Sequence, residues 1–408
     1  MDYIFVPIIL IFGFGLKSRY KIFTAKDHIL LDQLFFYHMI MSFIFYIYLR
    51  LNGGDSFLYW NGVKNVDFSF FANSYINNPR PTSTMWLINY IPSNLLNLDF
   101  FTGCILYGVF GYWGMLYILL TLKKFFPLLH DLKKIKILNF SIFPTLFFMP
   151  NFHFWSAGVG KDTLSFFVIC LCIYALLDIK KKIYYVVIPV LLLYFIRPHI
   201  LLFLFSGLAG AYLLKSKLLL FQKVFIVAIG FVLFLPLLNS VLEFANIDAA
   251  NVEAFDEFSS SKARALSKAG SGVDLGALPY PLQVLTFLYR PLFFDAHNVL
   301  ALLASVESLI WIILSVNFFR NQPIKVFKHS NYFILGGFLF WIIGALAFAP
   351  SMSNLGIIIR ERNMFLPGFI IFAVAGLYNT PKFRKYEWWL KSQVTNSTGF
   401  KSSVNKKL

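Results

Sequence analysis

Long apolar runs, broken by short connections that carry lysines, recur along the whole 408-residue chain. A spanning helix needs about 20 mostly apolar residues, fewer when it is partly buried or its flanks snorkel. By that measure eleven helices are expected, near 2–16, 31–51, 101–121, 137–151, 163–179, 183–196, 199–214, 219–240, 298–318, 331–349 and 363–379. The runs near 137 and 183 are short enough to be half-helices or tilted segments.

Charge is scarce in a way that supports this reading. Only 13% of the residues are charged and 58% are apolar, where a soluble fold carries about 25% charged residues to cover its surface. The net charge of +17 does not form a nucleic-acid patch, because the basic residues fall in clusters between the apolar runs. Lys17 to Lys26, Lys123 to Lys136, Lys180 to Lys182, Lys215 to Lys223, Arg320 to Lys328 and the tail beyond Lys382 mark every second connection, and together hold most of the 36 basic residues. Short cytoplasmic loops retain Lys and Arg. The expected topology therefore puts the amino terminus outside and the carboxyl terminus in the cytoplasm.

The fold class that follows is an all-α polytopic integral membrane protein. One transmembrane domain covers 1–380, with long extracytoplasmic loops at 52–100 and 241–297, and a basic cytoplasmic tail covers 381–408. Within the second loop, Ser259–Gly276 is small-residue-rich and expected to be mobile, while Leu278–Phe294 is expected to dip back toward the bilayer. Cys104, Cys170 and Cys172 lie inside apolar runs and read as core residues. The first run lacks the basic region and cleavage pattern of a signal peptide, so it is expected to stay as a helix. High Phe, Ile, Lys and Asn usage favours a bacterial envelope, hence the inner membrane.

Charged residues that the positive-inside rule leaves unexplained are the functional candidates, since charge beside a membrane is costly. Five places qualify, all on the expected outer face. Asp55 follows Gly53-Gly54 and precedes Tyr59 and Trp60; a carboxylate there can reach a sugar hydroxyl while the rings stack on the sugar, or it can serve as a helix cap beside an aromatic belt. The stretch Trp155-Ser156-Ala157-Gly158-Val159-Gly160-Lys161-Asp162 lacks the spacing and the Ser or Thr of a phosphate loop. It reads instead as a glycine turn whose amides and Lys161 form an anion site at a helix start, with Asp162 as cap or partner. Arg197-Pro198-His199 breaks two helices, and Arg290-Pro291, with Asp295 and His297, repeats the Arg-Pro pairing; a snorkelling or anchoring arginine is the plainer alternative at each. Arg360-Glu361-Arg362 is the strongest signal, standing against the topology rule unless something anionic binds or the residues pair internally, with Glu307 close by. Guanidinium forks match phosphate oxygens, so the collection suits a lipid-linked diphosphate.

With these residues in hand, the layout resembles bacterial polysaccharide polymerases of the O-antigen polymerase type, within the C-type-fold membrane glycosyltransferases. Asp55, Gly160-Lys161-Asp162, Arg197-Pro198-His199, Arg290-Pro291 and Asn354 to Arg362 carry the resemblance. It implies transfer of a glycan from undecaprenyl diphosphate to a sugar hydroxyl. Arg197, Arg290, Arg360 and Arg362 would hold the diphosphate with help from Lys161 and Asp162, Tyr59 and Trp60 would contact the sugar, and Asp55, His199 or Glu361 would act as base. The expected partners are the lipid-linked oligosaccharide, membrane lipid and other polysaccharide assembly proteins, with no nucleic acid. No cofactor is expected, Asp55 being the one place where a divalent metal could enter. A transporter or flippase of lipid-linked glycans and a non-catalytic assembly subunit are the competing classes.

Overall fold

The computed structural model describes residues 1–77, 81–137, 139–245, 261, 272–273, 275, 278–321, 323–329 and 331–397. Most of the Ser259–Gly276 stretch and the end of the basic tail lie outside them. Among the described residues the chain is helical almost throughout, with one two-stranded antiparallel ribbon of β1 (Lys136–Ile137) and β2 (Phe140–Ser141).

Among the described residues, five helices are long and apolar enough to cross a membrane, and three shorter apolar helices accompany them. After α1 (Asp2–Gly15) comes the first long one, α2 (Ala25–Asn52). It opens with a capping box in which Thr24 Oγ1 accepts from the Asp27 amide and the Asp27 carboxylate accepts from the Thr24 amide. That exchange satisfies two of the donors a helix start leaves orphaned. Gly53 ends it at φ 71° and Gly54 follows at φ 145°, backbone that only glycine adopts without strain. The chain thus doubles back into α3 (Asp55–Asn61), α4 (Phe68–Asn77) and α5 (Pro81–Asn89), short helices within the stretch 52–100 expected as a long loop.

Next, α6 (Phe100–Phe125) runs through the middle of the molecule and is largely buried. The apolar run 137–151 does not become a continuous helix. Pro144 and Pro150 interrupt it, each lacking the amide a helix interior needs, and the result is the ribbon, a turn of helix α7 (Ile142–Thr145) and the short α8 (Pro150–Phe154). A glycine turn then leads into α9 (Lys161–Leu176), most of which is buried. Beyond α10 (Ile179–Lys182), α11 (Tyr184–Ile196) stops at Arg197 because Pro198 opens α12 (Pro198–Lys215). Then follow α13 (Leu220–Ala245), α14 (Tyr280–Tyr289), α15 (Val299–Arg320), α16 (Pro323–His329), α17 (Tyr332–Phe348), α18 (Leu355–Arg362), α19 (Leu366–Tyr378) and α20 (Pro381–Ser397).

Lipid offers no hydrophobic force between helices, so close backbone approach through small residues has to supply the packing. A Cβ built on Gly207 of α12 would stand 2.6 Å from the Phe340 amide nitrogen of α17. In the other direction, a Cβ on Gly368 of α19 would stand 2.4 Å from Gly337 O of α17. The three helices are therefore held together at positions where no side chain fits.

Four of the basic clusters meet at one end of this bundle. There Lys123 pairs with Asp27 at 2.8 Å, Lys124 and Lys182 both lie over the Tyr174 ring, and Lys134 donates to Tyr386 Oη at 2.6 Å. Since α2 starts at that end and finishes at Gly53, Asp55 and the residues packed around it belong to the opposite end.

Candidate functional site

At that opposite end, residues from distant parts of the chain form one ionic network. Asp162, in the first turn of α9, accepts from Arg360 Nε at 2.6 Å through one carboxylate oxygen and from Arg197 through the other. Arg197 reaches onward to Glu361 at 2.6 Å. The Asp162 carboxylate sits at a helix start, where the dipole favours negative charge, and the Pro198 break places Arg197 directly over it. Asp162 and Arg197 are 7% and 8% exposed. Removing either charge from such a buried pair would leave the other uncompensated.

Electrostatics follow from this geometry. Asp162 beside Arg360 raises that guanidinium well above its ordinary range, with burial opposing and Glu361 assisting. For Arg197 burial is the largest influence and disfavours the charge, yet Glu361 and Asp162 outweigh it and the net shift is upward. Both arginines are permanent cations. Burial likewise pushes the Tyr59 phenol up to about 12, with Asp55 adding to the effect, so Tyr59 is neutral at any physiological pH.

The network borders a cavity of about 170 Å³ lined by Tyr48, Asp55, Trp155, Gly160, Asp162 and Arg360, among others. Arg360 spends Nε on Asp162 and sets its guanidinium carbon 5.7 Å from the Trp155 ring. Its two terminal amino groups have no hydrogen bond among the described residues and remain available to a ligand. Asp55 likewise has no hydrogen bond or ion pair among the described residues. Lys161 points out of this cavity: its Nζ lies 5.2 Å above the Tyr59 ring and 3.4 Å from Thr82 Oγ1. Lys161, Arg197 and Arg360 balance Asp55, Asp162 and Glu361 in formal charge. The site therefore offers directed donors and no excess of positive charge.

Against this cavity lies a larger one of about 370 Å³, almost wholly apolar. Met41, Ile44, Phe154, Leu300, Leu355 and Ile359 are among its walls, and it shares Tyr48 and Trp155 with the polar cavity. Helix α18 serves both. Successive residues of a helix point about 100° apart, so Leu355 and Ile359 face the groove while Arg360 faces the cavity.

The remaining expected site residues fall elsewhere. Arg362 is 2% exposed and turns inward, donating to Leu288 O at 2.8 Å, Arg290 O at 3.1 Å and Ser308 Oγ at 3.3 Å. Glu307 lies next to Ser308, but its Oε1 accepts from the Asn151 amide at 2.6 Å. Arg290 forms a bidentate pair with Asp295, whose carboxyl is held below the usual range: burial would raise it, but the Arg290 bond and the Leu292 amide prevail. Asp295 and His297 line the mouth of the apolar groove. The His199 ring packs 5.6 Å from Phe348 and borders neither cavity. Trp60 is fully buried and donates to Leu98 O at 3.1 Å, so its ring anchors α3 on α6 and has no face left for a sugar. Among the described residues no three His, Cys, Asp or Glu side chains stand close enough to hold a metal ion.

Sequence reading missed Tyr48 and Thr163 as cavity walls, because each looks like an ordinary aromatic or cap residue, and named Trp155 only as the start of the glycine turn. It also missed His38, which pairs with His153 in the core. An ionisable residue inside an apolar helix was the available signal.

Fold and site together define a multi-pass helical membrane protein with an ionic cluster and a two-part cavity at one end. The chain matches no protein-family model, no curated protein and no solved structure.

Proposed function

We propose that this chain is a membrane transferase for a lipid-linked phosphorylated glycan. The carrying observation is the junction of the two cavities at Tyr48 and Trp155, with Arg360 on the polar side and an apolar groove directly adjoining. A molecule with a phosphorylated head and a long hydrocarbon tail presents those two chemistries in that order. Its head meets the free amino groups of Arg360 and the turn at Gly160, and its tail follows Ile44, Leu355 and Ile359.

Chemically, the arginine fork stabilises charge that grows on the departing phosphate, which is where fixed cations help a transfer reaction most. Asp55, the unengaged carboxylate on the cavity wall, takes the proton of the acceptor hydroxyl. Glu361 and Asp162, already bound to arginines, position those arginines. Arg197 orients and does not touch the ligand. On this reading the donor is an undecaprenyl-diphosphate-linked oligosaccharide, as in the polysaccharide polymerases that the sequence resembles. The site then faces the extracytoplasmic side of a bacterial inner membrane, with about eleven crossings and the basic end in the cytoplasm.

The test is extension of a lipid-diphosphate-linked glycan by the purified protein in bilayers. Extension by the wild type, lost in Arg360→Ala and in Asp55→Asn, supports the assignment. Normal extension by Arg360→Ala would overturn it. Transbilayer movement of the lipid-linked glycan without extension would make the protein a flippase instead.

A further inference from the structure

Two histidines lie in the core, lining neither cavity, and neither has any solvent exposure. His38 projects from the middle of α2 and His153 from α8, with their Nδ1 atoms 2.7 Å apart. The outer nitrogen of each ring meets a backbone carbonyl: His38 Nε2 is 3.1 Å from Ser156 O, and His153 Nε2 is within hydrogen-bonding distance of Phe147 O.

Counting hydrogens decides the state of this pair. A carbonyl oxygen only accepts, so each Nε2 has to carry a hydrogen. The inner contact also needs one hydrogen, on one Nδ1 or the other. Three contacts thus require three N–H hydrogens, and two neutral imidazoles bring two. With both rings neutral, one of the three contacts would set lone pair against lone pair in a site that water does not reach, where an unmade hydrogen bond is most costly. A metal ion is no substitute, since two nitrogens binding one ion at about 2.0 Å each stand well over 2.7 Å apart unless sharply bent together.

We propose that His38 and His153 form a proton-binding site, sharing one proton between their Nδ1 atoms as an imidazole–imidazolium pair. Three charge-assisted hydrogen bonds, about twice as strong as neutral ones, work against the cost of burying that charge. The titratable groups nearby are few. The Tyr37 ring lies 4.7 Å from the His153 ring, and Glu307 of α15 binds the Asn151 amide in the same short helix as His153. On the α6 side a Cβ on Gly111 would stand 2.5 Å from His38 Nε2, so the ring is seated against a glycine, and the buried Tyr112 beside it packs on Phe35 of α2.

The proton has a structural consequence. Phe147 O and Ser156 O lie on either side of α8, so the protonated pair ties both ends of that segment to α2. Ser42 of α2 adds a bond to Ala157 O at 2.6 Å, and Thr163 closes the turn by donating to Gly158 O at 2.6 Å. The turn from Ser156 to Gly160, and with it the position of Asp162, is pinned by this site. His38 and His153 are positioning residues, and the assignment stands whether or not the glycan-transfer reading holds.

The experiment is nitrogen NMR of the full chain in bilayers at neutral pH with 15N-labelled histidine. The expected spectrum has two of the seven histidine rings coupled through their Nδ1 atoms and three N–H hydrogens between them. Two N–H hydrogens across that pair, or no coupled pair, would overturn the proposal. In His38→Gln the side-chain amide can supply a donor to His153, so His153 should become a neutral ring with one N–H; a doubly protonated His153 there would also count against a shared proton. Should that variant not fold, the wild-type spectrum decides alone.

Discussion

Arg360, Glu361 and Arg362 are consecutive, yet the helix sends them in three directions. Arg360 reaches the cavity, Glu361 reaches Arg197, and Arg362 binds backbone carbonyls of the α14 end. Their substitutions should therefore separate. Arg360→Lys keeps the charge but loses the fork that bonds Asp162 through Nε while presenting two more donors; transfer activity should fall at least tenfold with little change in thermal stability, as a glycan-extension assay beside a thermal melt would show. Arg362→Met should do the reverse. It strands the Leu288 and Arg290 carbonyls in the interior, costing about 1–3 kcal/mol, and a lower unfolding temperature with an unchanged Km for the lipid-linked donor is expected. Asp162→Asn leaves Arg197 buried without one of its two partners, a loss on the order of 3–5 kcal/mol for a broken buried pair, measured as a drop in unfolding temperature in detergent.

Among elements, α12, α17 and α19 depend on bare glycine surfaces. Gly368→Val places side-chain atoms where Gly337 O would stand only 2.4 Å from a Cβ at that position. Overpacking of this kind costs about 1–3 kcal/mol, and the expected outcome is a lower melting temperature that Gly368→Ala only partly shares. The connection before α15 has a pH signature. Asp295 is held below its ordinary carboxylate range in the folded chain, so its contribution to stability is complete above the unfolded carboxylate value and is lost as pH falls through the lower folded one. Asp295→Asn should flatten that acid limb of a stability–pH curve, while leaving the neutral and alkaline limb in its original shape.

For the molecule as a whole, the segregation of charge predicts membrane sidedness. Single cysteines introduced at Gly160 and at Asp55 should both react with a membrane-impermeant reagent applied from outside the cell, and one at Lys182 should not. Reaction of Gly160 and Asp55 from opposite sides would contradict the packing that makes them walls of one cavity. The apolar runs and the lysine clusters between them dictate a helical membrane protein and a polar end distinct from a basic end, because desolvation is local and can be read residue by residue. Gly53-Gly54 and Pro198 are equally legible as breaks. What the linear chain does not contain is partnership. Asp162 and Arg360 stand 198 positions apart, and Arg197 and Glu361 stand 164 apart; which arginine is spent on structure and which keeps donors free is decided only when α9, α12 and α18 pack. His38 and His153 show the same division, for their identity marks them as ionisable, but only a distance between two ring nitrogens says that they need a third hydrogen.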